Sequence, residues 1–230
     1  MTNTDSRIRL WGRWLGANAV GEMLGLGVTF AAIALAFSGL EGHSGVGSVL
    51  LSFLLAVASG AFEATLVGLA QWWAMRPWFP AITRRAWWSA TVAGALVAYG
   101  LGYLPSTLMS LGEEAAQAPV AEPPQWLVLL LAAGLGVVAG AVLSFAQWLV
   151  LRKQVRRAGW WIPAHMLAWS VGMPIIFWGI DVSQKGQSLA QMVGLLGGCL
   201  LLTGAVVGAI HGTALVALAR SVAPIRRSTH

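Results

Sequence analysis

The sequence has little charge and almost no cysteine. Charged residues make up 10% of the 230-residue chain, against roughly 25% in soluble domains, so an ordinary water-exposed surface is excluded. The one cysteine, Cys199, excludes an internal disulfide and is interpreted as a small residue packed between helices. Motifs of serine hydrolases, zinc proteases and phosphate-binding loops are also missing, and we therefore expect no enzymatic activity and no bound cofactor.

Long apolar runs take the place of the missing charge. Apolar residues account for 57% of the chain, and several runs exceed the ~18 residues typical of a transmembrane helix. They predict an all-α fold, a six-helix transmembrane bundle that forms a single integral membrane domain over residues 1–230. The predicted helices cover about residues 15–37, 46–75, 88–111, 125–151, 160–180 and 189–219.

Two further expectations concern the ends of these runs. A cleavable signal peptide is an alternative for the first run, but about 23 apolar residues exceed the usual 7–15 of a signal core. Residues 112–124 contain three prolines and three glutamates and are predicted to lie outside the helices.

The basic residues indicate the orientation in the membrane. Of the 14 lysines and arginines, only Lys185 lies in a loop on one predicted side. The others lie in the N-terminal segment, in the loops after the second and fourth helices, and in the C-terminal tail. Because cytoplasmic loops are enriched in lysine and arginine, both termini are predicted to be cytoplasmic. The net charge of +6 is therefore interpreted as topology, with the lipid bilayer as partner and no nucleic acid.

A repeated pattern organises the helices in pairs. Residues 60–88 and 136–161 both contain Ala-Gln-Trp, an arginine five residues after the glutamine, and a Trp-Trp pair after a basic loop. Alignment on Arg76, Arg152 and Arg220 adds a third copy that lacks the Gln-Trp. Since each copy is a helical hairpin, the pattern predicts three parallel two-helix repeats, with the first and sixth helices as neighbours.

Small residues and tryptophans recur within these copies. Because small residues let helix backbones approach in lipid, aligned glycines are predicted to pack helices together, with a glycine-lined pore as the alternative: Gly60, Gly136, Gly140, Gly204 and Gly208. Tryptophans beside basic residues are predicted to be interfacial anchors, with a cage for a pigment or a cationic ligand as the alternative: Trp72, Trp87, Trp88, Trp148, Trp160 and Trp161. Gln71 and Gln147 are expected to bond to a neighbouring helix or loop.

Four ionisable residues lie within the predicted spans and form the candidate polar site: Glu22, Glu63, His165 and His211. Glu22 and His211 lie at similar depth on helices that the repeat makes neighbours, so we hypothesise that they pair. The alternatives left open are a pair that fixes helix register, a proton or ion relay, and an axial ligand for haem or chlorophyll.

The string A-Q-W-L-V-L-R, followed by a basic loop and G-W-W, resembles an uncharacterised bacterial family of small polytopic membrane proteins. The resemblance implies six helices in a bacterial inner membrane and supplies no catalytic residues. We expect a non-catalytic scaffold or accessory subunit that packs against other membrane proteins or against itself. The alternatives are a small channel or transporter that uses Glu22, Glu63 and His211, and a pigment- or haem-binding membrane protein.

Overall fold

Six α-helices account for most of the chain in the computed structural model. They are α1 (Asn3–Leu40), α2 (Val46–Met75), α3 (Arg84–Ala116), α4 (Gln125–Leu151), α5 (Trp161–Gln184) and α6 (Leu189–Ala219). The structure describes residues 3–40, 45–116, 123–186 and 188–221, without the side chains of residues 3, 32–40 and 113–116. Most of the predicted tail, residues 222–230, therefore lies outside the description.

The predicted helix bounds are correct where an apolar run ends at the same residue as the helix. The bounds of α2, α4 and α6 are those predicted. In contrast, α1 begins at Asn3 and α3 extends to Ala116, so the prediction that residues 112–116 are not helical was wrong. An apolar run marks only the lipid-facing part of a helix, and polar turns beyond it can keep their backbone hydrogen bonds in water.

The helices form a closed ring in chain order. Each helix packs against its two neighbours along the chain, and α1 closes the ring by packing against α6. Helices 1 and 6 are thus neighbours, as the sequence predicted. Side chains from every second helix meet on the axis of the ring. The six helices therefore enclose one common interior.

Glycines bring adjacent helices of the ring into close contact. A Cβ atom at Gly136 would overlap the carbonyl oxygen of Trp169 on α5. One at Gly140 would lie 2.6 Å from the carbonyl oxygen of His165, and one at Gly204 would lie 2.5 Å from that of Asn18. Gly208 approaches α1, and Gly60 lies against the Tyr99 ring of α3. The structure therefore places all the predicted packing glycines at helix–helix contacts, and none of these sites faces open space.

The outer surface of the ring is apolar. Five helices, α2 to α6, are long and apolar enough to cross a membrane, judged over the part of the chain that the structure describes. Large apolar side chains face outward on each helix, among them Leu54, Leu130 and Val193. The protein is thus an all-helical chain with the surface expected of a multi-pass membrane protein.

One end of the ring is closed by the basic loops, residues 76–83 and 152–157, and is called the basic end here. These loops insert Phe79, Ile82 and Val155 beneath the helices, each no more than 3% exposed. The inserted side chains pack with Leu10 of α1 in one apolar cluster. The arginines of the loops stay at the surface while the apolar residues between them seal the interior.

Candidate functional site

Three tryptophans fill the axis just inside the basic end. Trp14, Trp87 and Trp161 come from α1, α3 and α5, and each is 0% exposed. Their ring centroids lie 5.8–6.3 Å apart in edge-on arrangements, a geometry favoured by the aromatic quadrupole. The interfacial role predicted for Trp87 and Trp161 is therefore replaced by a role in the core. We call these three residues the tryptophan triangle.

Each tryptophan of the triangle donates its indole N–H to an acceptor on another helix. Trp87 donates to Gln71 at 3.2 Å, and Trp161 donates to Gln147 at 3.0 Å. These two contacts join the Gln of each Ala-Gln-Trp copy to the Trp-Trp pair that follows it. The equivalent position on α6 is Leu215, and Trp14 instead donates to Nδ1 of His211 at 2.7 Å. His211 therefore takes the place of the acceptor that the third copy lacks.

Amide and hydroxyl groups link these three contacts into one network. The Gln71 amide donates to the Asn18 side-chain oxygen at 2.8 Å, and the Asn18 amide donates to the backbone carbonyl of Trp14 at 2.7 Å. The Gln147 amide donates to the Gln71 oxygen at 3.2 Å and to the Thr91 hydroxyl at 3.0 Å. Together with the triangle, this amide–indole network includes side chains from all six helices. Because a buried polar group without a partner is costly, a network closed in this way favours a single register of the helices.

The two intramembrane histidines stack on each other. The His165 and His211 rings lie 4.3 Å apart with an angle of 9° between their planes. Nδ1 of His165 is buried without a hydrogen-bond partner. Parallel rings at this separation leave no room between them for a macrocycle, so the pair is unsuited to hold a haem iron from both sides.

The hypothesis that Glu22 pairs with His211 was wrong. Glu22 interacts with the carboxyl group of Glu63 on α2, whereas His211 contacts Trp14 and His165. The reason is the extra acceptor role of His211, which turns its ring toward the triangle. The Tyr99 hydroxyl of α3 also donates to Glu63. Glu22 and Glu63 are 2% and 7% exposed, and Oε2 of Glu22 has no hydrogen-bond partner.

The remaining predicted anchors lie nearer the surface. Trp160 is 69% exposed and Trp88 is 36% exposed. Trp72 and Trp148 are partly buried, and the guanidinium groups of Arg76 and Arg152 lie over their rings at 5.4 and 4.7 Å. Trp72 and Trp148 thus occupy positions in which an amphipathic indole next to a cation is stable.

Three partners in the interior were missed from the sequence. Asn18 and Thr91 lie four residues after Trp14 and Trp87, one turn along the same helix face, as His165 does after Trp161. That shared spacing was a signal available in the sequence. Tyr99 had no such signal, because its contact with Glu63 depends on the packing of α3 against α2.

Among the described residues, no group of three or more histidine, cysteine, aspartate or glutamate side chains is placed to hold a metal ion. No protein-family model matches the chain, and no curated protein or solved structure is detectably similar to it. The interior and the outer surface of the ring are therefore the basis for any functional conclusion.

Proposed function

We propose that the chain is a multi-pass protein of the bacterial inner membrane and serves as a non-catalytic scaffold or accessory subunit. In this proposal six helices cross the membrane and both termini are cytoplasmic. The alternation of the basic residues supports this orientation. The apolar run that continues α1 beyond Glu22 supports a sixth span in addition to the five apolar helices.

The proposed arrangement is three parallel two-helix units around the axis. It is supported by the equivalent Gln–Trp bonds of the two copies and by the closure of the ring through α1 and α6. The amide–indole network and the apolar cluster at the basic end favour a rigid body over an open passage at that end.

The observation that carries the docking role is the beginning of α6. Residues 189–195 are all exposed, although seven consecutive helical residues point in every direction around the axis. Glycines at 194 and 198 have no atom within 4 Å of an added Cβ. In lipid, apolar side chains gain little by meeting each other, and association depends on small residues that let another helix approach. This segment, the α6 docking segment, therefore offers a place for a helix of another membrane protein or of a second copy.

The test compares two glycine-to-leucine variants with a matched control. Under this proposal, the wild type should purify from native membranes as a complex. We expect Gly194→Leu and Gly198→Leu to abolish this complex, because leucine blocks the approach of a partner helix backbone. Gly134→Leu on α4 should retain the complex, since Gly134 also faces open space. The measurement is the mass of the purified particle by light scattering together with mass spectrometry of its components, which separates a second copy from a different partner. A monomeric wild-type particle without partners would contradict the proposal.

A small channel or transporter is the second candidate, favoured by one observation. Two carboxyl groups lie inside the ring, where the amide–indole network makes no use of them. Intramembrane ionisable residues frequently mark ion or proton pathways. His211 contributes less to this candidate than the sequence suggested, because its contact with Trp14 explains its position. An absorption spectrum of the purified protein tests the pigment alternative.

A further inference from the structure

We propose that Glu22 and Glu63, with Tyr99, form a proton-binding site inside the ring. The site is called the carboxyl pair below. It goes beyond the proposed docking role and does not depend on it, because the α6 docking segment contributes none of its residues.

The burial of the pair requires at least one bound proton. Glu22 and Glu63 interact across α1 and α2 and are 2% and 7% exposed, and two ionised carboxylates in such a place would repel each other with no water to screen them. Tyr99 supplies a hydrogen-bond donor to Glu63. One oxygen of Glu22 remains buried without a partner, and this leaves a position for a further proton. Since an isolated charge is very costly in an apolar interior, protonation is the available way to neutralise the pair.

No lysine or arginine is available to neutralise the carboxyl pair in place of a proton. The sequence of α1 after Arg13, that of α3 after Arg85, and those of α2, α4, α5 and α6 contain no lysine or arginine. Apart from the arginines up to Arg13 and Arg85, the other titratable side chains that the structure describes on α1, α2, α3 and α6 are Asp5, Tyr103, Cys199 and His211. Helix α5 adds His165 and Asp181. Tyr103 extends the site outward, its ring 5.9 Å from that of Tyr99. His211 accepts a hydrogen bond from Trp14, which lies eight residues or about 12 Å from Glu22 along α1, and His165 stacks on His211.

Two glycines make room for the pair. A Cβ atom at Gly60 would lie 2.6 Å from the Tyr99 ring, and one at Gly25 would lie 2.7 Å from Cγ of Glu63. Any larger residue at Gly60 would push the tyrosine away from the carboxyl group, and one at Gly25 would displace Glu63. The local packing is therefore built around these polar side chains, although an alanine and a leucine would have closed the ring at no electrostatic cost.

The pair exchanges its proton with the side opposite the basic end. Toward the basic end, the path along the axis is blocked by the tryptophan triangle, whose members are fully buried. Glu63 lies 13 residues before Arg76, or about 20 Å along the helix. Tyr99 and Tyr103 are partly exposed on the other side, so a proton reaches the pair past them and not through the triangle.

Infrared spectroscopy of the full-length protein in liposomes tests the site. At neutral pH the wild type should show the C=O stretch of a protonated carboxylic acid, and Glu22→Gln/Glu63→Gln should lose this band. Tyr99→Phe and Gly60→Ala should both shift the band to higher frequency, because each removes the tyrosine donor. Asp181→Asn is the control, since Asp181 is an exposed carboxylate paired with Lys185, and it should leave the band unchanged. A wild-type spectrum without the band, or a band that persists in the double variant, would overturn the proposal.

A second measurement uses only the wild-type protein. It therefore tests the site even if the Glu22→Gln/Glu63→Gln variant fails to fold. A hydrophobic carbodiimide adds to protonated carboxyl groups in apolar surroundings, and mass spectrometry locates the adduct. We expect an adduct on Glu22 or Glu63 in the wild type, which decreases as the pH is raised. A water-soluble carbodiimide should give at least tenfold less adduct on these two residues. Absence of the adduct from both residues would contradict the site, while the particle mass measured for the α6 docking segment would be unaffected.

Discussion

His211 occupies a position where a single side chain completes a network built by other residues. Replacing it with leucine would leave the indole N–H of Trp14 buried without an acceptor. We expect His211→Leu to lower the free energy of unfolding by about 1–3 kcal/mol, the usual cost of a buried unpaired donor. Thermal unfolding of the purified protein in detergent measures this loss.

The control for this prediction is His211→Asn. The asparagine oxygen lies near the position of Nδ1 and can accept the same hydrogen bond, so this variant should recover most of the lost stability. If both variants unfold at the temperature of the wild type, the Trp14 bond does not stabilise the ring.

The two Trp-Trp pairs show what a sequence can and cannot tell about a residue. Consecutive helical residues are about 100° apart, so only one member of each pair can face the axis. The sequence correctly placed the pairs at helix ends next to basic loops. Trp87 and Trp161 nevertheless turn inward while Trp88 and Trp160 remain exposed, because the inner face is set by contacts with the glutamines of another helix. Those long-range contacts have no local signature.

At the scale of the element, the contact between α4 and α5 depends on a glycine that meets backbone rather than a movable side chain. Gly136→Ala would overlap the carbonyl oxygen of Trp169, so the helices must separate. We expect a loss of about 1–3 kcal/mol of stability, as for other overpacked interiors, measured by thermal unfolding.

Gly134→Ala on the same helix is the matched control. Nothing lies within 4 Å of an added Cβ at this position, and alanine stabilises a helix by about 0.5–1 kcal/mol relative to glycine. The two variants should therefore change stability in opposite directions. Equal effects would mean that helix propensity, rather than close approach, determines the role of Gly136.

Helix bounds were predictable where composition and conformation change at the same residue. The basic residues at the ends of α2, α4 and α6 coincide with the ends of the apolar runs, and these bounds were correct. The polar extensions of α1 and α3 were not predictable from hydropathy, because helix formation and lipid contact are different properties. For the same reason Phe79 and Val155 were assigned to loops, while their burial in the apolar cluster was missed.

At the scale of the whole molecule, the proposed topology gives a direct prediction. Lys153 lies in the loop after α4, and Lys185 lies at the end of α5. In intact cells, a membrane-impermeant maleimide should label Lys185→Cys and should label Lys153→Cys only after permeabilisation. Cys199 is buried, so the parent chain serves as the unlabelled control. Labelling of Lys153→Cys from outside would invert the proposed orientation.

The closure of α1 onto α6 has a consequence for the order in which the helices can be connected. Since every helix has two neighbours, no helix of the ring is structurally first or last. A circularly permuted gene that links the present ends and opens the polypeptide between α3 and α4 should yield the same architecture, because the new break crosses no helix–helix contact. Connectivity and shape are in this sense independent properties of the protein.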